Sequence, residues 1–231
     1  MAEAAFFSKE LFLFLEELKK NNTKRWFEEN RERYVRHIKE PMLAFISAMG
    51  DRLESISPSF IADTRVNGGS MFRIYRDVRF SKNKAPYKEN VGCQFRHSVG
   101  KGAHAPGFYI HLQPGNCFVG GGIWQPPTPD LTKIREAILA KPEEWGGVKK
   151  FLDRSELASF IEGESLKRPP RGFSEEDHFI KDIKQKTFFA GSSIKDAVVA
   201  SPGFIDQVEN VFLDTLPLMR FITLSLGLSF A

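Results

Sequence analysis

Residues 73–88 read R-I-Y-R-D-V-R-F-S-K-N-K-A-P-Y-K, and seven of these sixteen are Arg, Lys or Asp. Guanidinium groups present rigid donor forks that suit phosphate or carboxylate oxygens. Arg73, Arg76 and Arg79 could therefore hold an anion, with Arg76 and Arg79 as the clamp. Asn83, Lys84 and Tyr87 would add an amide, a point charge and a hydroxyl, and Lys88 a further charge. Asp77 would orient one of the forks or act as a base. The second candidate for proton transfer is His111, which shares a predicted strand face with Tyr109. These residues make Asp77 and His111 the candidate catalytic groups but name no reaction, so enzyme activity stays an open question at this level.

The same segment supports two other readings. If a strand persists through Arg79, Arg73, Tyr75, Asp77 and Arg79 share one face and Arg76 lies opposite, with Phe72 and Ile74. An Arg on an apolar face must be paired, because an unpaired buried charge is very costly. The segment could then be a salt-bridge lattice pinning a strand to its neighbours. Alternatively, the basic surface could serve a non-catalytic module that binds a protein or nucleic acid.

The pattern R-x-x-R-D-x-R-F-x-x-[DN]-K-x-x-Y, carried by Arg73, Arg76, Asp77, Arg79, Phe80, Asn83, Lys84 and Tyr87, resembles the signature of domain-of-unknown-function family 2461. Asn22 to Phe27, Pro106 to Tyr109, Gly120 to Trp124 and Arg168 to Phe173 also resemble that family, so the likeness covers most of the chain. The resemblance implies a stand-alone domain of about this length and brings no activity with it.

Other motifs are weaker. Gly120-Gly121-Gly122 follows a predicted strand and could expose backbone N–H groups. It lacks the Lys-Ser/Thr of a P-loop, and G-x-G-x-x-G is missing from the sequence; close packing of backbone or of the Trp124 ring explains it better. The basic loop with Lys167, Arg168 and Arg171 could fold over the 73–88 segment, although a solvated loop is its default state. His37, His97, His104, His111 and His178 form no metal-ligand spacing, and no metal or cofactor is expected. Cys93 and Cys117 form no C-x-x-C pair and read as buried small hydrophobes. Neither a G-x-S-x-G elbow nor an RNA-binding aromatic signature is present.

The elements that must position these residues read as an α+β fold. Phe7, Leu11, Phe14, Leu15 and Leu18 form one helical face, with Ser8 as N-cap. A second helical stripe starts near Thr23 and runs to Leu53, and Pro41 should kink or split it. The period then changes to two over 72–75, 91–96 and 108–113, with a hairpin turn at Pro114 to Asn116. An antiparallel sheet over about residues 70–123, flanked by N-terminal and C-terminal helices, follows. Helices are expected from Thr128, over 142–153, 155–162 and 201–226.

The whole chain of 231 residues, 42% hydrophobic with 22 Phe, reads as one domain, 1–231, able to bury a sizeable core. Its net charge of +4 permits an anionic partner without demanding one. The first residues are too short for a signal peptide, and the apolar C-terminal run is interrupted by Arg220, Pro217 and Gly227. Both point to a cytoplasmic protein with no membrane partner.

Overall fold

The computed structural model describes residues 4–99, 104–155, 157 and 165–231. The N-terminal third is helical: α1 (Lys9–Lys20), α2 (Lys24–Glu29), α3 (Arg31–Tyr34) and α4 (Glu40–Ile56). Ser8 and Thr23 cap α1 and α2 by accepting from the N–H groups of Glu10 and Trp26, as Ser and Thr do at helix starts. Between α3 and α4 the helix widens into one π turn, Val35–Lys39, in which the Glu40 N–H reaches back to the Val35 carbonyl. Pro41 accounts for it: its ring crowds the carbonyl four residues back and it has no N–H to donate.

Among the described residues the sheet has four strands, β1 (Val91–Arg96), β2 (Gly107–Leu112), β3 (Cys117–Ile123) and β4 (Phe188–Ile194), in spatial order β1-β2-β3-β4 and antiparallel throughout. The turn between β2 and β3 contains Gly115 at φ 69°, a left-handed conformation that glycine adopts without strain. Between β3 and β4 lie α5 (Thr128–Ala140), α6 (Pro142–Arg154) and α7 (Ile180–Ile183). After β4 come α8 (Asp196–Val199) and the long α9 (Phe204–Ser225). The helix expected over 155–162 falls largely outside the described residues. Among the described residues no helix is long and apolar enough to cross a membrane.

The α+β class and the antiparallel sheet are as expected, but the sheet is placed differently. The alternation from Phe72 to Arg79 does not form a strand; it makes one isolated bridge, Tyr75 with Tyr87, and the preceding Met71 makes another with Cys93. The Asp77 carboxylate accepts from the Arg79 N–H and thereby folds the chain into a local turn, which competes with ladder hydrogen bonding. The fourth strand, with sequence F-F-A-G-S-S-I, carries no period-two signal because small residues fill both of its faces.

α9 covers one face of the sheet. Phe212 stacks on Phe108 at 4.5 Å between ring centroids and meets Phe95 edge-on at 5.9 Å. A Cβ at Gly121 would sit 2.7 Å from Thr215 Oγ1, so glycine is what allows helix and strand to approach so closely. Cys93, Phe95, Phe108, Ile110, Val119 and Ala190 complete this buried face. Cys93 and Cys117 are free and buried.

Candidate functional site

The other face of the same strands is built from different residues. In register, one row across the sheet is Gly92, His111, Phe118 and Ser193. The next is Gln94, Tyr109, Gly120 and Gly191, and the third is Arg96, Gly107, Gly122 and Phe189. Side chains alternate faces along a strand, and the Tyr109 ring folds over Gly92, the Gln94 amide over Gly107 and the Phe189 ring over Gly120 on this face. A cavity of about 670 Å³ opens over it, within the range of small-molecule sites. Its floor is Gly92, Gly107 and Gly122, and its walls include Phe72, Tyr109, Phe118, Trp124 and Phe189. The chain leaves β3 through Trp124 and a left-handed Gln125 (φ 40°), whose N–H is held by Thr187 Oγ1.

The polar groups in this cavity are few. Tyr109 Oη lies 3.1 Å from His111 Nδ1, and Asn90 Nδ2 approaches the same nitrogen at 3.4 Å. His111 Nε2 lies 3.1 Å from Gln113 Oε1. These partners assign the ring proton to Nε2 and leave Nδ1 to accept from the Tyr109 hydroxyl. The imidazole stacks on Phe118 at 4.7 Å. Burial lowers the His111 pKa below its ordinary value, with Gln113 opposing, and pushes the Tyr109 hydroxyl up to about 12. Both shifts favour the neutral forms of the pair.

Two cations and one carboxylate also reach the cavity: Arg76, Lys88 and Asp77. Asp77 is bound by Arg79 through a forked pair at 3.0 and 2.7 Å, which holds its carboxyl at about 2, well below the usual carboxylate range. A carboxylate so stabilised is a weak base. Lys88 Nζ sits 5.4 Å from the Phe72 ring centroid. Burial, then the like charge of Arg73, lowers its pKa. Among the described residues neither Arg76 nor Lys88 meets a carboxylate.

The sequence candidates therefore separate. Arg76, Asp77 and His111 come together at this cavity. Arg79 is at hand only through Asp77. Arg73 lines a second, smaller cavity of about 230 Å³ beside the π turn, together with Arg31, Tyr34 and Lys39. Asn83 and Lys84 stabilise their own loop: Asn83 Oδ1 accepts from the Ala85 N–H and Lys84 Nζ donates to the Val78 carbonyl. Tyr87 is buried and stacks on Phe27 at 4.1 Å. Lys167, Arg168 and Arg171 are exposed and line neither cavity. Phe72, Asn90, Gln94, Phe118 and Phe189 were not singled out by sequence. The signal that could have found the face is parity: Gly92, Gly107, Gly120 and Gly122 share the side of the sheet opposite α9 with Tyr109 and His111.

Among the described residues no group of three or more His, Cys, Asp or Glu could hold a metal ion. Residues 10–221 match the family model described as "Conserved hypothetical protein (DUF2461)". No curated protein and no solved structure matches the chain.

Proposed function

We propose that this chain, which belongs to the conserved hypothetical protein family DUF2461, binds a small phosphorylated or otherwise anionic molecule in the cavity on the glycine face of its sheet. The observation that carries this reading is the pair of half-buried cations, Arg76 and Lys88, lining an otherwise largely aromatic cavity with no carboxylate of their own among the described residues. Cations in such surroundings are costly until an anion arrives, and charge-assisted hydrogen bonds to it are the strong ones. Arg76 is the fork of this clamp and Lys88 its point charge. Asp77 holds Arg79 rather than acting as a base. Should chemistry follow binding, His111 with Tyr109 is the pair placed to relay a proton.

The test is a thermal-shift and calorimetric series with inorganic phosphate, sulfate, sugar phosphates and nucleotides. A ligand at a hundred times its dissociation constant adds about 2.7 kcal/mol of stability, or roughly 5–10 °C for a protein of this size. The shift should vanish in a folded Arg76→Ala/Lys88→Ala protein. A panel without any shift in the wild type would remove the reading.

A second reading, a surface for a protein or nucleic acid, is favoured by one feature. Phe80 is 95% exposed at the tip of the 77–85 loop, next to exposed Arg79, Lys82 and Lys84. An exposed ring among cations suits stacking on a single strand. Binding of a short oligonucleotide that weakens steeply with salt and is lost in Phe80→Ala would support it.

A further inference from the structure

Three features of the cavity bear on the shape of its ligand. The first is the floor. Gly92, Gly107 and Gly122 line it, and Gly120 pairs with Gly191 on the same face. The Tyr109 ring lies over Gly92, the Gln94 amide over Gly107 and the Phe189 ring over Gly120, so the missing side chains let these groups lie close against the sheet.

The second is the wall. Phe72 meets Tyr109 at 5.9 Å, Tyr109 meets Phe118 at 5.7 Å, and Phe118 meets Phe189 at 6.2 Å. Trp124 stands at the mouth, 54% exposed. An aromatic enclosure suits either a cation or another ring. Charge decides between them. Arg76 and Lys88 repel a cation, and the cavity's Asp77 is already held by Arg79.

The third is the polar edge. Gln94 Nε2 donates to the Ala105 carbonyl and Asn90 Nδ2 is directed at His111. Each amide keeps its oxygen and its second N–H hydrogen, and Tyr109 Oη, donating to His111, keeps a lone pair. This edge can therefore meet donors and acceptors on a ligand alike.

We infer that the molecule is an aromatic or heteroaromatic ring carrying a phosphate. Its ring packs against the aromatic wall beside Trp124, and its phosphate meets Arg76 and Lys88. This rests on the anion reading above and adds the ring to it.

The experiment is calorimetry of the whole chain with adenosine 5′-monophosphate, phenyl phosphate and ribose 5-phosphate, on wild type and Trp124→Ala. Trp124 is exposed, so the variant should fold. Adenosine monophosphate and phenyl phosphate should both bind, and ribose 5-phosphate should be weaker than the nucleotide by about tenfold or more, the scale of one ring stacking on an aromatic side chain. Trp124→Ala should weaken the nucleotide by about tenfold and leave ribose 5-phosphate unchanged. Ribose 5-phosphate binding as tightly as the nucleotide would overturn the ring while leaving the anion clamp standing. Failure of all three, in a protein that is folded, would overturn the anion reading and the ring with it.

Discussion

The two faces of the sheet use the same strands for opposite ends. On the covered face Phe95, Phe108, Ile110 and Val119 are fully buried against α9, and each large side chain adds apolar area removed from water. On the open face the alternate positions are glycine, Tyr109, His111 and Phe118, and a cavity remains where a core would otherwise be. Because a strand's side chains alternate, one segment can be held in place by one face while the other is kept open for a ligand. The covered face should therefore carry the stability, and the open face should tolerate change in stability while losing binding.

A second contrast concerns buried charge. Asp182 is buried and satisfied, accepting from Trp145 Nε1 at 2.9 Å and from Lys149 Nζ at 2.8 Å. Arg135, also buried, donates to the Ile183 and Gln185 carbonyls, so it ties α5 to α7 and the residues that follow it. Those groups are consumed by the fold. Arg76 and Lys88 are not, and the difference marks them as functional candidates.

The sharpest way to break the first comparison is Phe212→Ala. Removing this ring from between Phe95 and Phe108 should cost about 3–5 kcal/mol, read as a lower urea midpoint. A change below about 1 kcal/mol would mean that α9 does not anchor the sheet. Asp182→Ala should follow at about 2–3 kcal/mol, because it strands the Trp145 N–H and the Lys149 ammonium.

Arg76→Ala/Lys88→Ala should behave in the opposite way. Stability should stay within about 0.5 kcal/mol of wild type, while phosphate-ligand affinity falls by about tenfold or more. A large loss of stability would return the segment to the lattice reading.

His111 sharpens the contrast through pH. Its folded pKa lies below its unfolded value of 6.5, so in that window the unfolded chain binds more protons and stability rises with pH. Acidification through about 6.5 should therefore destabilise the wild type, and His111→Gln should remove that part of the slope in a series of denaturant melts. The smallest effect is expected at the exposed Asp77–Arg79 pair, where Arg79→Ala should leave the melting temperature unchanged at moderate salt. A clear drop there would show that the pair holds the loop, and with it Arg76.

Much of the fold was legible in the chain itself. The capped helix after Ser8, the hairpin around Gly115 and the period-two runs of β1 to β3 are local features, and local sterics and hydrogen bonding express them wherever they occur. The disturbance at Pro41 was legible too, though its form as a π turn was not. The candidate site was only partly legible. Arg76, Asp77 and His111 were named, but Tyr87 was assigned to the ligand and lies in the core.

What sequence determined, then, is which residues could form helix or strand and which side chains carry charge. Tertiary structure alone decided that Phe27, sixty positions away, takes the Tyr87 ring, that β4 closes the sheet, and that Arg79 spends its fork on Asp77 while Arg76 keeps its own. These outcomes depend on which groups meet in space after distant segments pack, and no local periodicity encodes that.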